Sequence, residues 1–169
     1  LYGSTTANAT IGQPTGASKL CLSCHDGTVA LGMVRSRSQI TMGGGVTVLP
    51  AGASNLGTDL ADDHPISFTY NAALMTADGQ LNDPATLTGP VRLDSSGQLQ
   101  CTACHDPHND QYGKFLVKNN SASALCVTCH NRTYWTASVH KTSTATWNST
   151  APDPWPNTTE TTVAANACE

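Results

Sequence analysis

The 169-residue sequence predicts a chain of mostly irregular coil with a few short helices and short β-hairpins, built around something other than apolar side chains. Aromatic residues make up only 5% of it and charged residues 12%, while Gly, Ser, Thr, Asn and Pro fill long stretches. So few large apolar side chains cannot offset the conformational entropy that is lost on folding. Either the chain is largely disordered or another group supplies the core, and seven Cys with six His favour the second.

Short helices are predicted where the cysteines cluster. SKLCLSCH (18–25) and SALCVTCH (123–130) match in form, and each places a Ser able to cap a helix three residues ahead of its first Cys. CTACHDPH (101–108) is of a second type, which carries an extra His. Residues 101–130 therefore contain one motif of each type and form a pair.

Two segments predict hairpins. ITMGGGVTV (40–48) and VRLDSSGQLQ (91–100) alternate apolar and polar residues around a Gly or Ser-Ser-Gly turn. DDHPISF (62–68) places His64 before a Pro, in an extended loop. After His140 the Thr/Pro-rich stretch 141–162 has no helical period and predicts extended surface coil.

The three clusters share the form C-x-x-C-H, which is the attachment signature of c-type haem. Positions i, i+3 and i+4 share one face of a helical turn, so two thiols can bond the two vinyl groups of one porphyrin while the imidazole reaches the iron from the same side. Three covalently attached haem c groups are predicted, on Cys21 and Cys24, Cys101 and Cys104, and Cys126 and Cys129, with His25, His105 and His130 as iron ligands.

Two other chemistries use similar cysteine spacings. Each C-x-x-C could be a dithiol redox pair, and the last four of these cysteines could form a zinc site. Neither explains a His after every pair, and zinc leaves Cys21 and Cys24 without partners. Haem is the favoured interpretation.

The remaining histidines number one for each iron: His64, His108 and His140. Bis-histidine ligation is therefore predicted for all three haems, and it implies lower reduction potentials than His/Met ligation by Met33, Met42 or Met75 would give. His108 lies three residues after His105 and cannot reach the other face of the same iron. If it binds iron, it binds that of a neighbouring haem, so two haems must lie close together.

These motifs resemble those of a known family. L-C-x-x-C-H, C-x-x-C-H-D-P-H, D-H-P-I-S-F and W-x-x-S-x-H (135–140) are similar to the multihaem c-type cytochromes of the doubled CxxCH kind, found especially in metal-reducing and sediment bacteria. The resemblance implies stacked bis-His haems, little regular secondary structure, and a periplasmic, outer-surface or extracellular location. It also implies other redox proteins, or further haems of a longer chain, as partners, and some relatives polymerise into filaments.

Electron transfer is the predicted function, because iron with two protein ligands has no open position for a substrate. The protein is then an electron carrier and not an enzyme. The alternatives are a multihaem reductase with one open axial site, and a structural module in which haem only replaces the core. The net charge of −4 does not suggest nucleic acid, and no apolar run is long enough to span a membrane.

A single haem-packed region is expected over residues 1–169, with three parts. Residues 1–100 hold the first haem and the hairpins, 101–140 the haem pair, and 141–169 the extended tail. Cys168 is the odd cysteine, one residue before the end of the sequence. It is expected to begin a fourth, truncated motif, so the sequence is expected to be a piece of a longer haem chain.

Overall fold

The computed structural model of the protein describes residues 7–146 and 162–166, most of which are coil. The helices are α1 (Gly16–His25), α2 (Ala72–Asp78), α3 (Val139–Thr142) and α4 (Val163–Asn166), and the strands are β1 (Phe68–Thr69) and β2 (Gln98–Leu99). Six further segments form 3₁₀ turns: Gly43–Gly45, Pro84–Thr86, Cys101–Ala103, Ser121–Ser123, Cys126–Thr128 and Trp135–Ala137. The prediction of a mostly irregular chain with a few short helices is confirmed.

The described residues form two compact units, each with a small apolar core. The first unit contains residues 7–69 and 94–102, and the second contains 70–93, 103–146 and 162–166. The buried apolar side chains are Leu22, Leu60 and Leu99 in the first unit, and Tyr70, Leu74, Val91 and Ala103 in the second. Side chains alone therefore supply little core, as the composition predicts.

Polar side chains hold the first unit together where apolar ones are lacking. The two strands pair antiparallel, with Phe68 opposite Leu99. Beside them Ser18, Ser67 and Gln100 are all buried. The amide oxygen of Gln100 accepts hydrogen bonds from Ser67 Oγ at 3.0 Å and from the backbone N–H of Ser18 at 3.4 Å. Ser18 lies in the first turn of α1, so Gln100 caps a helix that Thr15, at the N-cap position, does not cap with its side chain.

The predicted capping serines have a different role. Ser18 lies inside α1, and its hydroxyl accepts from the backbone N–H of Cys101 at 2.9 Å instead of capping its own helix. The N-cap position of the turn Cys126–Thr128 is held by Leu125, while Ser123 ends the preceding turn. Both serines are fully buried. The matching positions are thus buried in both motifs, and the prediction that Ser18 caps its helix is wrong.

The hairpin predicted over residues 40–48 does not form. Ile40 N–H donates to the carbonyl of Gly32 at 2.9 Å, and Leu31 N–H donates to the carbonyl of Thr47 at 2.7 Å. The two flanks therefore pair with residues 31 and 32 instead of with each other. A run of three glycines specifies register weakly, which leaves the flanks open to this alternative.

The hairpin predicted over residues 91–100 is half correct. Its turn forms, because Asp94 N–H donates to the carbonyl of Gln98 at 3.0 Å and Asp94 Oδ1 accepts from the N–H groups of Ser96 and Gln98. However, β2 pairs with β1, some 30 residues upstream, and not with residues 91–93. In this pairing Leu99 is buried.

In the second unit, α2 has a complete set of end signals. Asn71 caps its start by accepting from Leu74 N–H at 2.9 Å, and Gly79 ends it in the left-handed conformation, donating to Met75 at 2.8 Å. Helix α3 continues to Thr142, so the coil predicted from residue 141 begins only after it. Residues 147–161 of that predicted coil, and Cys168, lie outside the described residues. Across residues 7–146 and 162–166, no helix has the length and apolar character to cross a membrane.

Candidate haem-attachment sites

The first C-x-x-C-H lies at the end of α1. Buried Ser18 and Leu22 fix one side of this helix, while Cys24 and His25 are exposed and Cys21 is half-buried on the adjacent side. The helical spacing of residues 21, 24 and 25 places both thiols and the imidazole on one side, as the sequence predicts. The two thiols and the imidazole of the first motif are thus accessible on one side of the helix.

The ring of His25 is held by the loop that follows. Its Nδ1 lies 2.7 Å from the carbonyl oxygen of Ser54, and its own carbonyl accepts from Leu56 N–H at 2.8 Å. A carbonyl oxygen only accepts, so Nδ1 carries a proton, and in the neutral ring Nε2 keeps its lone pair. This is the arrangement in which a ligating histidine is oriented by a backbone carbonyl.

The second motif repeats this arrangement on a shorter scaffold. Cys101–Ala103 form a 3₁₀ turn whose Ala103 is fully buried, and His105 is exposed. The Nδ1 atom of His105 lies 2.9 Å from the carbonyl oxygen of Lys114, again leaving Nε2 with its lone pair. His25 and His105, 80 positions apart, thus both direct a protonated Nδ1 at a backbone carbonyl.

The loop 106–114 is folded back to make this contact. Asp106 N–H donates to the carbonyl of Phe115 at 2.7 Å, and Asp110 Oδ1 accepts from Phe115 N–H at 2.7 Å. Lys114 and Phe115 have φ of 51° and 57°, a left-handed conformation that costs roughly 1–2 kcal/mol for each non-glycine residue. The loop tolerates this strain while it directs the Lys114 carbonyl at His105, as strained residues at functional sites often do.

The third motif is clamped by the segment after α2. His130 forms an antiparallel bridge with Leu81, and the amide of Asn82 donates to the carbonyls of Val127 and Thr128 at 3.0 and 3.1 Å. The hydroxyl of Tyr70 donates to the carbonyls of Asn82 and Cys129. Sequence reasoning missed this clamp, because nothing in residues 80–82 marks them as partners of a motif almost 50 positions later.

Burial changes the acidity of groups around the motifs. Burial, reinforced by the neighbouring Cys129, raises the pKa of the Tyr70 hydroxyl to about 12. Burial also raises the pKa of the Cys129 thiol, and that of the Cys21 thiol, which touches Cys101. These groups are therefore neutral near pH 7. No disulfide joins any two of the six motif cysteines in the described chain.

The three further histidines all lie at the surface of the chain. His64 is in coil, with its Nδ1 2.8 Å from the carbonyl oxygen of Pro65. His108 follows Asp106, whose carboxylate accepts its backbone N–H at 3.0 Å. His140 lies in α3. Within the described ranges, no three His, Cys, Asp or Glu side chains converge as a metal site.

His140 borders a pocket of about 300 Å³ in the second unit. The pocket is lined by Gln80, Arg132, Thr133, Tyr134, Trp135, Ser138 and His140. The indole Nε1 of Trp135 is buried, and it has no hydrogen-bond acceptor in the part of the chain that the structure describes. A group that brings its own acceptor, such as the carboxylate of a haem propionate, fits this donor. Gln80 and Arg132 were not predicted as site residues, since they lie outside every motif.

Residues 94–134 match the family of the doubled CXXCH motif. The match spans the second and third motifs and supports a multihaem protein similar to c-type cytochromes, with covalently bound haem c and a role in electron transfer. It favours the haem interpretation of the CXXCH motifs over the dithiol and zinc alternatives. Among curated proteins, none matches the chain significantly.

Proposed function

We propose that this protein is an electron carrier with three covalently attached haem c groups, each with two histidine ligands on its iron. The observation that carries the proposal is the common polarity of the imidazole rings. His25 and His105 each direct Nδ1–H at a backbone carbonyl supplied by a later loop, at 2.7 and 2.9 Å. With Nδ1 protonated, each neutral ring keeps an Nε2 lone pair, which is what iron ligation requires.

Each residue type has a distinct task in this proposal. The cysteine pairs of the three motifs anchor the haems, and the adjacent histidines bind the irons: His25, His105 and His130. The second ligands come from His64, His108 and His140. Haem c supplies reversible one-electron chemistry at its iron when it is bound. The backbone carbonyls hold the imidazoles in one orientation and increase their basicity.

The proposal extends to location and partners. We infer that the protein is exported and works in the periplasm, on the outer surface or outside a bacterial cell, because its motifs resemble those of cytochromes found in such places. It would exchange electrons with other redox proteins or with further haems of a longer chain. Assembly of copies into a filament would continue the haem chain, and electron micrographs of the purified protein would show such filaments directly.

The haem number and ligation can be tested on the protein matured in a host that attaches haem c. Intact-mass spectrometry is expected to show three haems, and replacing both cysteines of any one motif by Ala is expected to remove one. The reduced native protein is expected not to bind carbon monoxide, since both axial positions are filled. Each of the variants His64→Ala, His108→Ala and His140→Ala is then expected to bind one equivalent.

Two results would contradict the proposal. Rapid binding of one equivalent of carbon monoxide by the native protein would show an open axial site and favour a reductase. Fewer than three haems would show that a motif is not used. A matched control is Gln39→Ala, at an exposed position in a segment without histidines, which is expected to keep the native haem count and the lack of carbon monoxide binding.

A further inference from the structure

Buried polar contacts join the first and second motifs within the first unit. Ser18 Oγ accepts from the backbone N–H of Cys101 at 2.9 Å, and Ser18 is fully buried. The adjacent Gln100, 1% exposed, bonds Ser67 Oγ and the Ser18 N–H through its amide oxygen. Its amide nitrogen donates to Asp94 Oδ2 at 2.9 Å. The start of the second motif is thus fixed against the helix that carries the first.

The cysteine side chains meet as a consequence. Cys21 lies three residues after Ser18 on α1, so both are on neighbouring positions of one helix surface. Ser18 holds the backbone of Cys101, and the side chain of Cys101 lies close enough to Cys21 to help raise the pKa of the Cys21 thiol, after burial. The first cysteines of two motifs 80 positions apart are therefore in contact.

The first turn of α1 packs closely against the side chain of Gln100. A Cβ added at Gly16, in the first turn of α1, would lie 2.9 Å from the Gln100 amide nitrogen. Thr15 N–H donates to Ser67 Oγ at 2.9 Å, which ties the residue before α1 into the same network. Since buried polar groups are costly to leave without partners, shifting one motif against the other would break several of these bonds at once.

We propose that the haems of the first and second motifs form a directly adjacent pair, with their attachment edges in contact at Cys21 and Cys101, and that the buried network of Ser18, Ser67 and Gln100 fixes their separation. This inference rests on the proposed function and names the motifs between which one electron passes directly, from ferrous to ferric iron with no bond formed or broken. It differs from the pairing of the second and third motifs that their closeness in sequence predicts.

Circular dichroism of the Soret band of the haem-loaded protein tests the pairing, because two adjacent haems give a split signal of opposite signs. Removing the first haem with Cys21→Ser and Cys24→Ser is expected to abolish the split signal. Removing the third haem with Cys126→Ser and Cys129→Ser is expected to retain it. Loss of the split signal only when Cys126 and Cys129 are replaced would overturn the inference.

A second variant decides the question while all three haems remain. Ser18→Val removes the acceptor of the Cys101 N–H and enlarges a fully buried side chain, so it is expected to weaken the split signal while intact-mass spectrometry still shows three haems. Ser36→Val, at an exposed serine of the same unit, is the matched control and is expected to leave the signal unchanged. An unaltered signal in Ser18→Val would overturn the inference. Three haems with the wrong pairing would leave the proposed function intact, whereas fewer than three would contradict the function itself.

Discussion

Replacing Gln100 by Glu preserves the shape of a buried side chain but exchanges a hydrogen-bond donor for an acceptor. The amide nitrogen of Gln100 donates to Asp94 Oδ2 at 2.9 Å, and the side chain is 1% exposed. In Gln100→Glu an ionised carboxylate would face the Asp94 carboxylate at this distance. Burial and the like charge both raise the pKa of the new carboxyl in the folded protein.

The size of the effect follows from linkage. A rise of about 2 units above the ordinary Glu value of about 4.3 places the folded pKa near ~6.3. Because the pKa of this carboxyl is higher in the folded protein, ionisation does not affect the stability of the variant below the unfolded-state pKa. The stability of the variant then falls as the pH rises through the folded-state pKa. The variant is therefore expected to lose about 1 kcal/mol at about pH 5 and about 2.7 kcal/mol at about pH 7.5, relative to the native protein.

Urea unfolding of the haem-loaded protein, followed by Soret circular dichroism at the two pH values, measures this difference. Gln111→Glu, at an exposed position, is the control, and it is expected to change stability by less than ~0.5 kcal/mol at either pH. A cost for Gln100→Glu that is the same at both pH values would refute the reasoning, because it would show that the amide nitrogen does not face Asp94 in a buried network.

Three further changes test other parts of the structure. Hydrogen bonds from Gln98 N–H and the Gln100 amide lower the pKa of Asp94, so its carboxylate stabilises the fold at neutral pH and this contribution vanishes as the pH falls from the ordinary 3.8 through the folded value. In Asp94→Asn the free energy of unfolding should depend less on pH in this acid range. The same dependence on pH as in the native protein would argue against this role of Asp94. Gly27→Ala places a Cβ 2.5 Å from the Asn55 side chain, whereas Gly57→Ala meets nothing within 4 Å, and the φ angles of +72° and +69° are similar. Both incur left-handed strain of roughly 1–2 kcal/mol, so urea unfolding should show a larger loss for Gly27→Ala, and equal losses would count against the clash. Trp135→Phe removes a buried N–H that we expect to donate to a haem propionate, so redox titration should show a lower potential for one haem. Unchanged potentials together with a gain in stability would mean that the N–H has no acceptor.

Sequence reasoning succeeded where the chemistry is local. A cysteine and the cysteine three residues later lie on one side of a helical turn, whether it is the α-helix that holds Cys21 or the 3₁₀ turns that begin at Cys101 and Cys126. The turn at Asp94 was also predictable, because the carboxylate accepts from backbone N–H groups only two and four residues ahead. These features need no knowledge of distant parts of the chain.

Sequence reasoning failed where residues distant in the chain compete as backbone pairing partners. The flanks of Gly43–Gly45 bond residues 31 and 32, and β2 pairs with β1 instead of closing its own hairpin. The entropy of loop closure changes slowly with loop length, so a distant partner is hardly penalised relative to a near one. The partner that buries more side chain, as Leu99 does in β2, is then preferred.

The sequence by itself determined that the chain holds three C-x-x-C-H motifs, a matching number of spare histidines and too little apolar surface for a core of its own. Only the tertiary structure decided which carbonyls orient His25 and His105, and that Cys21 lies against Cys101. The spacing within a motif is set by the geometry of one helical turn. The contact between motifs is set by a buried amide that satisfies groups from three separate segments, and no local pattern encodes which segments those are.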